Sequence, residues 1–157
     1  MSAPAVLVRV DALWRPGLDR AGLRAVSESL AGPVTRLCPR CAGTDHGRPR
    51  TAGGALSLAY AAGLVVLARA EGTGLRLGVD VEPDPGVGPT PAGLADRAAW
   101  TRAEAVLKAT GEGLRRDPTS VRADEAWTTA LPLPPGWAGT LAVLPARPVE
   151  VRWREHR

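Results

Sequence analysis

The 157-residue chain predicts an α+β fold in which short antiparallel sheets are packed by helices. Three observations carry this expectation. Apolar runs at 55–60, 64–70 and 75–82 are joined by connections too short for a crossover helix, which favours antiparallel neighbours. Two stretches, 18–32 and 94–111, place apolar residues at helical spacing. Strand-like runs return at 126–131, 139–144 and 149–153. A chain of this length holds one domain with a real core, or two small and intimately packed halves.

Taken in order, "AVLVRV" (5–10) reads as a first strand. The preceding residues carry no basic region, and Arg9 and Asp11 break the apolar run, so a signal peptide is not expected. "LDRAGLRAVSESLAG" (18–32) has apolar residues at 18, 23, 26 and 30 and ends on Gly32, as an amphipathic helix does. Residues 33–54 are dense in turn formers and are expected to be loop. "ALSLAY" (55–60), "LVVLARA" (64–70) and "LRLGVDVE" (75–82) form the expected meander, with "EGTG" (71–74) as a turn. Four prolines and three glycines between 83 and 93 exclude regular structure. "LADRAAWTRAEAVLKATG" (94–111) is the longest helix candidate, with Trp100, Ala103 and Leu107 on one stripe and Gly111 as its stop. The three later runs read as strands, the final "VRWREHR" (151–157) as a last strand with a frayed, solvated end that includes His156.

Composition narrows the function classes. Hydrophobic residues make up 45% and charged residues 23%, as in a globular protein. Aromatics are only 4%, so Ala, Val and Leu must build the core, with Trp100, Trp127 and Trp137 as large fillers. A net charge of +4 suits an anionic ligand or an acidic partner. No basic arm with interleaved aromatics points to nucleic acid. No apolar run reaches membrane-spanning length. A cytoplasmic enzyme or binding protein is the expectation.

Lys108 is the single lysine among arginines, in a composition where coding bias accounts for arginine elsewhere. "GVDVE" sets Asp80 and Glu82 two apart on a strand, so both carboxylates share one face. They repel unless a cation lies near. Glu104 adds a third acid from the helix, and oxygen donors from a strand and a helix are a common way to hold Mg²⁺. Lys108 lies four residues after Glu104, on the same helix face. A plain surface Glu104–Lys108 pair, contributing roughly 0.2–0.5 kcal/mol, is one reading. The other is a metal–phosphate site in which the ammonium offers phosphate a compact charge.

"GVDVE" followed by "WTRAEAVLKATGEGL" resembles the signature pair of the 4′-phosphopantetheinyl transferase superfamily, G(V/I)D(V/I)E … WxxKEAxxK. The segment from 38 to 70, with "HGRP" at 46–49, is similar to the upstream region of its surfactin-type branch. The resemblance implies two small related halves, near 1–70 and 71–157 of a single domain, with the site between them. It implies Mg²⁺-dependent transfer of the phosphopantetheine arm of coenzyme A to a serine of an acyl or peptidyl carrier protein. By the match, Asp80, Glu82 and Glu104 would hold Mg²⁺, and Glu104 would act as, or orient, the base. Lys108 would contact a phosphate. Arg48 would meet the 3′-phosphate, with His46 bordering that site. The pattern departs at Ala59 and Tyr60, where the family has a serine–histidine phosphate contact; Tyr60 offers only a hydrogen bond. Ala103 replaces a motif lysine, and residues 83–99 are short where the family has a carrier-docking stretch. A family-derived protein that binds a carrier domain or synthase partner without transfer is the alternative, as is a partner subunit that completes the site.

Cys38 and Cys41 are too close to form a useful structural disulfide. With His46 they resemble half of a zinc site, the fourth ligand being Asp45 or water. No thioredoxin-like context supports a redox dithiol. The preferred reading is a turn held by Pro39 with two inert thiols. Arg115 and Arg116 read as solvated surface, with an acidic partner as the functional alternative.

Overall fold

A computed structural model describes residues 5–72 and 74–157. The N-terminal strand β1 (Leu7–Trp14) is followed by helix α1 (Arg20–Ala31). Asp19 caps this helix, its carboxylate accepting the Gly22 amide at 2.8 Å, and Gly32 ends it with φ of 80°. A small hairpin follows, β2 (Thr35–Leu37) and β3 (Arg48–Arg50), in a stretch expected to be loop throughout. These strands have three residues each, too few for alternation to register in the sequence. Next come β4 (Gly54–Ala61), β5 (Leu64–Glu71) and β6 (Arg76–Pro83). Helix α2 (Arg97–Thr110) is capped by Asp96, which accepts the Ala99 amide at 2.7 Å, and stops at the left-handed Gly111. The chain ends with β7 (Trp127–Ala130), β8 (Trp137–Leu144) and β9 (Glu150–His156).

The three-stranded meander expected over 55–82 does not form. β4 and β5 do make an antiparallel hairpin, but the other edge of β5 is taken by β1. β6 instead opens a second sheet. The larger sheet has the order β4-β5-β1-β9, with β1 and β9 parallel and its other pairs antiparallel. The smaller is antiparallel in the order β6-β8-β7. The connection at 72–75 carries the chain between sheets. Gly72 and Gly74 there have φ of 93° and 87°, which only glycine adopts cheaply; Thr73 of the expected turn lies outside the described residues, as do residues 1–4.

Strand alternation sorts the side chains into layers. Val8, Val10 and Ala12 of β1 and Leu64, Val66 and Ala68 of β5 face Leu77, Val79 and Val81 of β6 and Leu141 and Val143 of β8. This is the main core, between the sheets. Leu13, Leu56, Leu58, Val65 and Leu67 point the other way, onto Leu23, Val26 and Leu30 of α1. Ala142 and Leu144 on the outer face of the small sheet meet Ala105, Val106 and Ala109 of α2. The order is therefore helix, sheet, sheet, helix, a mixed α+β arrangement. No helix among the described residues is long and apolar enough to cross a membrane.

The tail is not frayed. β9 runs parallel to β1 from Leu7↔Glu150 to Leu13↔His156. His156 Nε2 lies 2.7 Å from Oδ1 of the buried Asp11, so the expected solvated histidine instead serves a buried carboxylate. Arg116 is not simply solvated either. It pairs with Glu125 at 2.5 Å and Glu112 at 3.2 Å, pinning the segment after α2. Trp127 and Trp137 border the core as expected, and Trp137 meets Trp14 edge-to-face with centroids 5.2 Å apart.

Candidate functional site

Where the two sheets meet, β4 and β6 approach along their edges. The Val79 amide donates to the buried Ser57 hydroxyl at 3.0 Å, tying one sheet to the other. Gly78, one residue earlier, lies against the backbone of α2, and a Cβ there would collide with the Ala105 carbonyl oxygen. α2 is thus pressed onto β6, with Glu104 and Lys108 beside Asp80 and Glu82.

These four side chains line a cavity of about 450 Å³. Asp80, Glu82 and Glu104 supply one wall. The same cavity is also lined by Arg20, Arg36 and Arg48, with Tyr60 on β4, and Arg48 Nη1 reaches Gly111 at the end of α2. Arg48 is half-buried and, among the described residues, has no carboxylate partner. Burial, and then the neighbouring Arg50 and Arg76, push its pKa down. Arg20 places its guanidinium 5.2 Å from the centre of the Tyr60 ring, and the Tyr60 hydroxyl lies 3.3 Å from Ser27 Oγ. Tyr60 therefore carries a cation into the cavity although it has no charge of its own. Arg36 is fixed by Glu28 at 3.1 Å.

Lys108 does not pair with Glu104. Its Nζ donates to Asp80 Oδ1 and to the Val79 carbonyl, each at 2.9 Å. The Val79 amide is held by Ser57, so both backbone groups of Val79 are met by side chains. Asp80 is 4% exposed, and its Oδ2 has no hydrogen-bond partner. Burial raises its pKa to about 6 against the pull of Lys108, with Glu104 and Glu82 adding repulsion. Glu104 is likewise raised, by burial first, with Lys108 opposing and Glu82 adding to the shift. The wall is short of positive charge. The carboxylates are spread along it: among the described residues, the one group of three or more acidic, histidine or cysteine ligands with atoms within 4.8 Å of one another is Cys38, Cys41 and His46.

Of the residues expected in the site, Asp80, Glu82, Glu104, Lys108, Arg48 and Tyr60 line the cavity. His46 does not. Its ring is held in the β2–β3 loop by Asp45 at 2.6 Å and Cys41 at 3.2 Å. Ala103 is buried in the core, 2% exposed, so it faces away from the cavity. Arg20, Arg36 and Ser57 were not anticipated. The two arginines come from α1 and β2, well before the acidic elements in the chain, and a chain rich in arginine gives no local sign of which ones converge. Amides of Cys41 and Arg40 directed at Cys38 lower its pKa to about 7.

No protein-family model and no curated protein matches this chain.

Proposed function

We propose that the chain is a Mg²⁺-dependent 4′-phosphopantetheinyl transferase, with coenzyme A as donor and an acyl or peptidyl carrier protein as acceptor. One observation carries the reading. A single cavity where the two sheets meet is lined by three carboxylates, by Lys108 among them, and by two guanidinium groups, Arg20 and Arg48, that have no carboxylate partner among the described residues. A substrate bearing phosphates and a divalent cation satisfies both sets of charges at once. The donor set suits Mg²⁺: hard oxygen ligands, one of them the orphaned Asp80 Oδ2, in carboxylates that resist ionising together. Mg²⁺ commonly uses only one or two carboxylates beside substrate phosphates, so the spread of the three acids is no obstacle. The motifs in 78–82 and 100–108, and the α+β pair of sheets with the site between them, agree with the resemblance to this superfamily.

Asp80, Glu82 and Glu104 would hold the ion, which when bound neutralises charge on the pyrophosphate. Arg48 and Arg20 bind the anionic end of coenzyme A. Glu104 takes or orients the proton of the carrier serine hydroxyl as its oxygen attacks the phosphorus bearing the pantetheine arm. A P–O bond forms, the pyrophosphate P–O bond breaks, and adenosine 3′,5′-bisphosphate leaves. The ammonium of Lys108 favours the ionised form of Asp80 against its burial and offers its remaining N–H to a phosphate oxygen.

A second reading has its own observation. Lys108 already sits on Asp80 Oδ1, where a metal would compete with it. In that reading the protein binds a carrier domain or synthase partner and transfers nothing. Incubation with coenzyme A, Mg²⁺ and apo-carrier proteins of the same cell, followed by intact mass, separates the two. Transfer adds the arm to a carrier, and Glu104→Gln abolishes that addition while the fold survives by circular dichroism. No mass gain on any carrier, together with no heat of coenzyme A binding, defeats the enzyme reading.

A further inference from the structure

The β2–β3 loop holds a second constellation, away from the cavity. Cys38, Cys41 and His46 place their ligand atoms within 4.8 Å of one another. We infer that this loop is a zinc site, with Cys38 Sγ, Cys41 Sγ and His46 Nε2 as protein ligands and water in the fourth position.

Four features of the loop point to a metal. First, the distances fit. Zn–S of about 2.3 Å and Zn–N of about 2.0 Å in a tetrahedron put sulphur and nitrogen roughly 3.5 Å apart. Cys41 Sγ and His46 Nε2 stand at 3.2 Å, so a few tenths of an ångström of widening admits the ion. Second, the histidine is oriented for it. Its Nδ1–H donates to Asp45 Oδ1 at 2.6 Å, which turns the Nε2 lone pair toward the sulphurs. A carboxylate behind a ligating imidazole is the usual outer support of a zinc histidine. Asp45, weighed as a fourth ligand from sequence, takes this supporting place instead.

Third, the backbone is wound around the cysteines. The Cys38 amide donates to the Gly43 carbonyl at 2.9 Å, and the Ala42 amide to the Cys38 carbonyl at 2.8 Å. Ala42 is held at φ of 57°, a left-handed conformation that costs a residue with a Cβ. Fourth, glycine is required where the loop closes on its own ligands. A Cβ on Gly43 would stand 2.9 Å from His46 Cε1 and 3.2 Å from Cys41 Sγ. At Gly47, with φ of 99°, a Cβ would stand 2.9 Å from the Leu37 carbonyl. None of the ten loop residues joins a core cluster, and outside help comes only at its far end, where Arg24 donates to the Asp45 carbonyl and Arg36 to the Gly47 carbonyl.

On binding, the protons of the two thiols and any proton on His46 Nε2 are lost to solvent, so that the sulphurs ligate as thiolates and His46 as the neutral imidazole. The ion would clasp the hairpin whose strands carry Arg36 and Arg48 to the cavity.

The test uses the full chain, purified under reductant and measured for metal, so it is independent of any transfer activity. The wild-type protein is expected to hold one Zn²⁺ per chain. Cobalt substitution should give the intense visible bands of a tetrahedral thiolate site. Cys41→Ser should lose the metal. Asp45→Ala, which leaves all three ligands in place, should weaken zinc by roughly 10–100-fold in a chelator competition. His156→Ala, at the other histidine, should leave affinity unchanged. Substoichiometric zinc in the reduced wild type overturns the inference. So do undiminished affinity in Cys41→Ser or in Asp45→Ala, and a Cys38–Cys41 disulfide standing in place of free thiols under reductant.

Discussion

Lys108 shows what one side chain must do at a sheet edge. An arginine would present a wide planar fork. The ammonium donates in two directions from one point, to the Asp80 carboxylate and the Val79 carbonyl. Removing it leaves Asp80 buried with no partner on either oxygen, since Oδ2 already has none. Breaking a buried pair costs about 3–5 kcal/mol, but Lys108 keeps a third of its side chain in water, so Lys108→Ala should cost on the order of 2 kcal/mol in urea unfolding. Lys108→Arg should recover only part of that; full recovery would mean that charge alone matters. Glu125 gives the acid-side counterpart. Hydrogen bonds from Arg116, then from the Arg122 amide, lower its carboxyl to about 2. A depressed carboxylate stabilises the fold above its unfolded value, and that contribution disappears as pH falls from about 4.5 through about 2. Glu125→Gln should therefore be less stable than wild type near neutrality, and the two unfolding curves should converge by about pH 2. A gap that stays constant with pH would remove the ion pair as its cause.

At the level of elements, α2 is seated by an absence. Gly78 provides the contact at which helix and strand backbones touch, and Gly78→Ala would force α2 off β6 because a Cβ there meets the Ala105 carbonyl. Overpacking against backbone should cost about 3 kcal/mol and move Glu104 and Lys108 from Asp80 together, so coenzyme A binding should fall along with stability. Unchanged binding in a destabilised Gly78→Ala protein would separate the helix seat from the site. Both helices were legible in the sequence, because Gly32 and Gly111 mark their C-terminal ends and the apolar spacing marks their faces. The strands β4, β5 and β8 were legible as apolar runs. Their partners were not: a run of Leu and Val states that it is buried on both faces, not which edge it joins. Hence β6 was assigned to the wrong sheet, and β2 and β3 were hidden among turn formers. The acidic wall could be read because Asp80, Glu82, Glu104 and Lys108 are local motifs on two elements. Among the cations, Arg48 was legible only through the family resemblance, and Arg20 and Arg36 were not, because they reach the cavity through the packing of α1 and a hairpin against β4.

For the whole molecule, the decisive strand is the last. The small sheet is contiguous in sequence from β6 to β8, and the large one would be contiguous from β1 to β5 if the chain stopped after Leu144. β9 instead crosses back to β1 and runs parallel to it over seven residue pairs. This return ties the end of the second half into the sheet of the first. It covers the β1 edge, sets Val151 and Trp153 against the main core, and brings His156 to Asp11, which otherwise has Arg69 at 3.7 Å. Packing Trp153 and Val151 contributes on the order of 3–5 kcal/mol by apolar area alone. Domains of this size have about 5–15 kcal/mol in total. Deleting residues 145–157 should therefore lower the urea midpoint sharply, and the exposed β1 edge should drive self-association in size-exclusion chromatography. His156→Ala is the milder probe: it removes one partner of a buried carboxylate and should cost about 1–3 kcal/mol with the chain still monodisperse. If the deletion unfolded at the wild-type midpoint as a single species, the two sheets would be held by their shared core alone. The cavity between them would then owe nothing to the returning strand.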